Sequence, residues 1–123
     1  MNNLILVFLG GGLGSVVRYG ISEVMRRTFV MVFPIATLCS NIISCIILAL
    51  TVVLFNDKTN MNPSIKMFIL VGFCGGFSTF STFSYETVSL IRDGNIMYAI
   101  ANILISVIVC VGLIFFLTKG NSI

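Results

Sequence analysis

Four long apolar runs constrain the fold of this chain more than any other feature of its sequence. They cover approximately residues 4–19, 33–55, 65–91 and 96–118, and most of the charged residues lie between them. Each run is near the roughly 20 residues that a helix needs to cross the hydrocarbon core of a bilayer. The residues are 58% hydrophobic and 9% charged, whereas soluble proteins have about 25% charged residues. The sequence therefore predicts an all-α integral membrane protein, with residues 1–123 forming a single four-helix domain.

The third apolar run is too long and too polar for a simple lipid-facing helix. About 28 residues from Ser64 to Ile91 would form a straight helix of roughly 42 Å, whereas the hydrocarbon core is about 30 Å thick. The run contains Gly75 and Gly76, and glycine in a helix interior costs about 1 kcal/mol relative to alanine. We therefore predict a break in the third helix at this glycine pair. Backbone N–H and C=O groups that lose their helical hydrogen bonds within a bilayer must be buried in protein or line a hydrated cavity. Such a break therefore indicates an ion site.

Phenylalanines alternate with hydroxyl side chains after the glycine pair. Phe80 and Phe83 are three residues apart and share one face of a helix, with Phe77 on the same stripe. The hydroxyl side chains around them belong to Ser78, Thr79, Ser81, Thr82 and Ser84. Aromatic packing is the usual role of such rings, but their positive edges also favour an anion without supplying a formal charge. The mixture of rings and hydroxyls therefore predicts a narrow anion path.

A polar stripe along the second run is predicted to face the same path. Thr37, Asn41 and Ser44 recur at helical spacing. The amide of Asn41 has two N–H donors that could stabilise an anion, and a hydrogen bond between helices is its alternative role. A similar stripe in the fourth run predicts that one face of that helix meets protein or water. Its polar positions are Asn102, Ser106 and Cys110.

Backbone freed by a break in the third helix could also bind a cation. The carbonyl oxygens of Gly75 and Ser78 would form part of an oxygen cage suited to a small hard cation, particularly if two copies of the chain meet there. Such a cation would place fixed positive charge near the middle of the membrane. It could therefore serve the structure as well as the attraction of anions.

The remaining composition argues against an enzyme, a zinc site and a nucleic-acid partner. The chain has no histidine and only four carboxylate side chains, and no nucleophile stands beside a plausible base. Its four cysteines lie inside apolar runs without paired spacing, so we interpret them as small packing residues. The net charge of +3 is too small to indicate binding to nucleic acid.

The first run combines packing residues with a cation at its end. Gly10 and Gly14 are four residues apart, a spacing that lets two helices approach closely in lipid. Arg18 is predicted to be either an anchor at the membrane surface or a cation that attracts anions to a vestibule. The following residues, 22–31, are interpreted as a short link to the second helix.

Positive charges are almost equally divided between the two sides of the predicted bundle. One side holds Lys58, Lys66 and Lys119, and the other holds Arg18, Arg26, Arg27 and Arg92. An excess of lysine and arginine in the short loops of one side orients a membrane protein. A division as even as this one hardly decides the orientation. This balance is compatible with insertion in both orientations, and we hypothesise that two identical copies assemble antiparallel.

Three motifs in the sequence are similar to those of a known protein family. They are GGLGSVVRY at residues 11–19, ATLCSN at 36–41 and GFCGGFSTFSTFS at 72–84. Together they resemble the CrcB/Fluc family of fluoride channels, and the similarity covers nearly the whole chain. This resemblance implies passive, fluoride-selective export across the cytoplasmic membrane by a dual-topology homodimer. It also implies two pores per dimer and a central structural sodium ion.

The resemblance implies roles for individual residues. Phe80 and Phe83 correspond to paired pore phenylalanines, and Asn41 corresponds to the pore asparagine. The other pore residues that it implies are the hydroxyls of Ser81, Thr82 and Ser84 and, towards the end of the pore, Glu86. The backbone carbonyls of Gly75 and Ser78 correspond to ligands of the sodium ion.

Two other functions are compatible with a small four-helix membrane protein. A multidrug transporter that exports cations in exchange for protons would need a carboxylate deep in a helix, especially the first, and residues 4–19 contain none. A packing subunit without transport activity would explain Gly10 and Gly14 but not the run of rings and hydroxyls. The chain also departs from the resemblance at Val109-Cys110, where a small Gly-Ser pair is usual, which leaves the contribution of Cys110 open.

Overall fold

The structure, a computed structural model, describes residues 2–55 and 62–120. The regular secondary structure of these residues is helical throughout. Its elements are α1 (Asn3–Thr28), α2 (Ile35–Leu54), α3 (Pro63–Met67), a π-helical segment (Phe68–Phe73), α4 (Cys74–Phe77), α5 (Phe80–Arg92) and α6 (Ile96–Leu117). Lys58, one of the charges considered for the orientation of the chain, lies outside the described residues.

Four helical stretches are long and apolar enough to cross a membrane. They are α1, α2, α6 and the stretch Pro63–Arg92, which contains α3, the π-helical segment, α4 and α5 and is called the third span below. The predicted all-α fold with four candidate membrane-spanning helices is thus confirmed among the described residues. Large apolar side chains such as Phe8, Val30 and Phe116 are exposed, which suits a surface that faces lipid or another protein chain.

The first helix is longer than the sequence pattern predicts. It continues to Thr28, so most of the predicted link at residues 22–31 is helical and that interpretation is wrong. Glu23 supports the extension, because its carboxylate pairs with Arg26 at 2.9 Å and with Arg27 at 3.7 Å. Pairs at these helical spacings stabilise a helix by about 0.2–0.5 kcal/mol each. The helix therefore extends beyond the apolar run from which its length was predicted.

Glycines bring the backbones of α1 and the third span into direct contact. A Cβ atom added at Gly10 would lie 3.0 Å from the Cα of Gly72, and one added at Gly76 would lie 2.9 Å from the Cα of Gly11. Gly14 is buried and also lies against the backbone of the third span. Because no side chain fits between these residues, the two helices approach as closely as small residues allow in a membrane.

The backbone of the third span is extended at Ser78 and Thr79. Their φ and ψ angles are −81° and 157° for Ser78, and −150° and 123° for Thr79. Gly75 and Gly76 are helical and lie within α4, so the predicted position of the break, at the glycine pair, is wrong. The physical reason is that Gly76 is needed for the contact with α1, where a Cβ does not fit. Hydrogen bonds to Asn41 of α2 instead hold Thr79, the second residue after α4, in an extended conformation.

Polar side chains of α6 face the rest of the protein. The amide of Asn102 is buried and donates to the hydroxyl of Thr87 at 2.9 Å, while Ser106 Oγ donates to Asn102 Oδ1 at 3.4 Å. Thr87 in turn donates to the carbonyl of Phe83 at 2.8 Å. The prediction that one face of the fourth helix meets protein is confirmed for Asn102 and Ser106. This chain of hydrogen bonds links α6 to the backbone that carries Phe83.

Candidate functional site

A cavity of about 290 Å³ lies where α2, α6 and the third span meet. We call it the phenylalanine cavity. Its lining residues are Asn41 and Cys45 of α2, Ser78, Thr79, Phe80 and Phe83 of the third span, and Ser106, Val107, Cys110 and Val111 of α6. None of these side chain types carries a full charge at neutral pH. An ion in the cavity would therefore meet neutral donors, acceptors and rings.

The rings of Phe80 and Phe83 lie next to each other in this cavity. Their centroids are 5.7 Å apart and their planes are tilted by 44°, as is usual for paired aromatic side chains. Phe80 is 78% exposed, so much of its ring is free of contacts. Phe77, in contrast, is 1% exposed and packs on Phe73. The prediction that Phe77 shares the stripe of Phe80 and Phe83 is wrong, because the extended residues between α4 and α5 interrupt the helical spacing.

Asn41 holds the extended backbone from the neighbouring helix. Its Oδ1 accepts a hydrogen bond from the backbone N–H of Thr79 at 3.0 Å, and its Nδ2 donates to the carbonyl of Thr79 at 3.5 Å. The Thr79 hydroxyl then accepts from the N–H of Thr82 at 3.2 Å and caps α5. The Asn41 amide thus joins two helices and also lines the phenylalanine cavity. Its NH2 group has a second N–H beyond the one bonded to Thr79.

These hydrogen bonds leave two backbone carbonyls without their helical donors. In a continuous helix the N–H of Thr79 would bond to Gly75, four residues earlier, but it goes to Asn41. The N–H of Thr82 would bond to Ser78 in the same way, but it goes to the Thr79 hydroxyl. Carbonyls at an unwound part of a membrane helix are groups that coordinate sodium. The oxygens of Gly75 and Ser78 therefore fit a hard cation by their chemistry.

A cation at this place would be held by oxygen atoms. Within residues 2–55 and 62–120, no group of three or more His, Cys, Asp or Glu side chains could hold a metal ion. Gly75 is exposed and Ser78 is half-buried, so one chain offers these carbonyls near its surface. Further ligands would have to come from water or from a second copy of the chain.

Glu86 lines two further cavities, one of about 380 Å³ near the end of α5 and one of about 300 Å³ that also reaches α1 and α2. We call the latter the Glu86 cavity. It lies between the end of α1, the start of α2 and α5, and its lining includes Arg26, Thr37 and Thr82. Glu86 Oε1 is buried and has no hydrogen-bond partner among the described residues. Because buried polar atoms without a partner are rare, this oxygen is a site for water or another donor that enters the cavity.

The structure divides the predicted pore residues between the phenylalanine cavity and the Glu86 cavity. The first contains Asn41, Phe80 and Phe83, and the second contains Thr82 and Glu86. Ser81 lines neither cavity, and its hydroxyl lies 3.3 Å from that of Thr79. Ser84 is half-buried and also lines neither of them. Their predicted roles in the pore stay predictions.

Arg18 is bonded to the third span. Its Nε donates to the carbonyl of Gly76 at 3.2 Å, and Ser15 Oγ donates to the same oxygen at 3.5 Å. These bonds satisfy a carbonyl near the end of α4, where no further helical turn supplies a donor. Because α1 continues past Arg18, this residue does not stand at the end of its helix. Its predicted roles at the membrane surface and in a vestibule stay predictions, and part of its guanidinium is engaged by the protein itself.

Comparison with known proteins assigns the chain to a family. The family described as CrcB-like protein, Camphor Resistance (CrcB), matches residues 5–118. The chain belongs to the CrcB-like family. The resemblance stated from the three sequence motifs is thereby confirmed. With four helices long and apolar enough to cross a membrane, this CrcB-like chain is a multi-pass membrane protein.

Relatives from distant organisms share the name "Fluoride-specific ion channel FluC". The relative from Serratia proteamaculans (strain 568) is 42% identical over 106 residues, which are 86% of this chain and 83% of the relative. The one from Pyrococcus horikoshii is 44% identical over 110 residues, 89% of this chain and 88% of the relative. The one from Shewanella halifaxensis (strain HAW-EB4) is 38% identical over 115 residues, 94% and 92% of the two chains. The CrcB-like chain is thus similar to these proteins over most of their length.

Sequence reasoning missed two features of the site in this CrcB-like chain. Cys45 lines the phenylalanine cavity together with Cys110. The available signal for Cys45 is its spacing, because it stands four residues after Asn41 and shares that face of α2. Thr79 organises the junction through both its backbone and its hydroxyl. Its sequence context does not distinguish it from the neighbouring hydroxyl residues.

Proposed function

We propose that this chain is the subunit of a passive, fluoride-selective channel that exports fluoride across the cytoplasmic (inner) membrane. The family supports this proposal, because relatives that are 38% to 44% identical bear the name fluoride-specific ion channel. The observation that carries it is the phenylalanine cavity, where two paired rings lie beside the Asn41 amide in uncharged surroundings. Such a site suits a small anion that sheds part of its water and then leaves.

In this proposal the anion path runs from one cavity to the other. Asn41 in the phenylalanine cavity and Thr37 in the Glu86 cavity stand one turn apart on α2, or about 6 Å along the helix axis. On the third span, Thr79 of the phenylalanine cavity and Thr82 of the Glu86 cavity are joined by a hydrogen bond. In this proposal the third helix is interrupted at Ser78 and Thr79, and the backbone groups of these residues form the polar surface between the cavities. Backbone polar groups within a bilayer are tolerated in such a hydrated or protein-lined position.

Neutral donors are the physical basis of conduction in this proposal. The positive ring edges of Phe80 and Phe83 and the free N–H of Asn41 replace part of the hydration shell of fluoride. A permanent cation at the same place would bind the anion too tightly, because each site on a conduction path must also release the ion. The remaining polar positions of the track are Ser81, Thr82 and Ser84, with Glu86 towards its end and Arg18 near a vestibule.

We further propose that two copies assemble antiparallel, with two pores per dimer and a structural sodium ion between them. Gly75 and Ser78 support this, because the donors that would satisfy their carbonyls in a helix are bonded elsewhere. A second copy would double the number of these oxygens. The exposed apolar side chains of the spans offer surface for both the partner and the lipid bilayer. Sodium would supply fixed positive charge near the middle of the membrane.

Ion release from liposomes tests the channel function. Liposomes that contain the purified protein and potassium fluoride are expected to release fluoride when valinomycin lets potassium follow, without any proton gradient. Liposomes loaded with potassium chloride are expected to retain chloride, and ion-selective electrodes record both anions. Equal release of chloride would contradict the selectivity, and a requirement for a proton gradient would indicate a transporter.

A further inference from the structure

Two cysteines meet at the phenylalanine cavity. Cys45 comes from α2 and Cys110 from α6, and both contribute to the lining. These two helices pack along each other, and the two side chains face the same space. Both residues are half-buried, so their sulfur atoms border the open space of the cavity. Neither thiol has a role in the anion path proposed above.

The other two cysteines of the chain are placed differently. Cys74 is buried, and its Sγ donates to the carbonyl of Ser44 at 3.7 Å. Cys39 does not line the phenylalanine cavity. A reagent that enters this cavity from outside therefore meets Cys45 and Cys110 first.

Two sulfur donors without further ligands select a narrow class of metal ion. Structural zinc is almost always bound by four ligands, and among the described residues no three His, Cys, Asp or Glu side chains are grouped for a metal. Soft thiolate ligands select Cu(I), and Ag(I) has the same charge and the same filled d shell. Both ions accept two-coordinate binding by sulfur. The oxygen atoms of Asn41 and Ser106 in the same cavity are hard donors, which compete poorly with thiolates for a soft cation.

We propose that Cys45 and Cys110 form a two-coordinate site for a soft monovalent cation, Cu(I) or Ag(I), and that its occupation closes the phenylalanine cavity to anions. The second part rests on the proposed channel function. On binding, both thiols lose their protons to solvent, two S–H bonds are replaced by two sulfur–metal bonds, and the metal keeps its oxidation state. Two thiolates and one monovalent cation carry a net charge of −1. This charge repels a halide that approaches Phe80 and Phe83, and the metal occupies the space between the helices.

Silver binding by the purified protein tests the site directly. The protein in chloride-free detergent solution is titrated with silver nitrate, and the silver that remains bound after gel filtration is measured by mass spectrometry. We expect one tightly bound silver ion per chain. Groups that only orient metal ligands change metal affinity by about 10–100-fold, so Cys45→Ala and Cys110→Ser, which remove a ligand, are each expected to lower the affinity by about 100-fold or more.

Cys39→Ser is the matched control, and it is expected to bind silver as the parent protein does. Circular dichroism and the elution volume show that each variant is folded. Unchanged affinity in Cys45→Ala or Cys110→Ser would overturn the site. An equal loss of affinity in Cys39→Ser would also overturn it.

Fluoride release tests whether occupation closes the cavity. Silver nitrate is expected to stop release by the parent and by Cys39→Ser. Cys45→Ala and Cys110→Ser alter the lining of the cavity, so each is compared with its own release rate without silver, which silver is expected to leave unchanged. Tight binding at the pair without any effect on release would overturn closure of the cavity. If the parent releases no fluoride at all, closure fails together with the channel function, and the titration alone decides whether the metal site exists.

Discussion

Asn41 performs two tasks with one side chain. Its amide is bonded to both backbone groups of Thr79, and the same amide lines the phenylalanine cavity. An aliphatic residue at this position would leave the N–H of Thr79 without its acceptor. In the proposed channel, stability and conduction are therefore coupled at this residue, and each must be measured separately.

Asn41→Ala is expected to destabilise the protein by about 1–3 kcal/mol, the usual effect of leaving a buried donor without a partner. Unfolding by denaturant in detergent, followed by circular dichroism, measures the change in the free energy of unfolding. Asn3→Ala is the matched control, because Asn3 stands exposed in the first turn of α1, and its effect should stay within about 0.5 kcal/mol. Equal stability of the two variants would contradict the role of Asn41 as the support of the extended backbone.

Phe80→Ile and Phe83→Ile are each expected to lower fluoride release from liposomes by about tenfold or more. The substitutions keep an apolar side chain but remove the ring edge, and a loss of about 1.4 kcal/mol in stabilisation of the ion corresponds to a factor of ten. Phe116→Ile is the control, because Phe116 is 71% exposed on α6 and lies outside both cavities. If the two cavity variants conduct as Phe116→Ile does, the rings have no part in the path.

At the scale of helices, the absence of side chains sets the contact between α1 and the third span. Gly76→Ala places a methyl group against the backbone of Gly11, so we expect a destabilisation of about 1–3 kcal/mol, as is typical of overpacking. Gly112→Ala is the matched control, because no atom lies within 4 Å of the added carbon. This control should be neutral or stabilising by up to about 1 kcal/mol through helix propensity. Similar unfolding curves for both variants would argue against the close contact.

The hydrogen bond between Asn102 and Thr87 connects α6 to α5, and Thr87 also bonds to the carbonyl of Phe83. A double-mutant cycle with Asn102→Ala and Thr87→Ala is expected to give a coupling energy of about 0.6 kcal/mol and at most about 1.7 kcal/mol, the range measured between membrane helices. The free energies of unfolding of the parent, the single variants and the double variant supply the cycle. Additive effects would mean that the two side chains do not interact.

Hydropathy predicted the number of helices but not where they end or bend. Crossing a bilayer depends on about 20 apolar residues, a property that any window of sequence carries by itself. The end of α1 depends instead on the pairs that Glu23 makes after the apolar run. The extended backbone depends on a bond between Asn41 and Thr79, which are far apart in the sequence. The burial of Phe77 depends on the same junction. The helical spacing in the sequence therefore wrongly placed Phe77 on one stripe with Phe80 and Phe83.

At the scale of the whole molecule, the balance of Lys and Arg between the two sides is compatible with insertion in both orientations, which the proposed dimer requires. A reporter of topology fused to the C-terminus is expected to label both faces of the membrane. Adding several lysines next to the C-terminus should fix one orientation and, because the proposed dimer needs both, abolish fluoride release. A single orientation of the parent chain would reject the antiparallel assembly, and full release by the lysine variant would reject its role in conduction.

The two extended residues before α5 also determine how α5 is rotated about its own axis. α5 begins at Phe80, directly after Thr79, and each residue of an α-helix turns the chain by about 100°. Inserting or deleting one residue at this joint would change the direction in which both rings point, although the composition of the span would hardly change. In the proposed channel, the length of this joint is therefore as important for selectivity as the two rings.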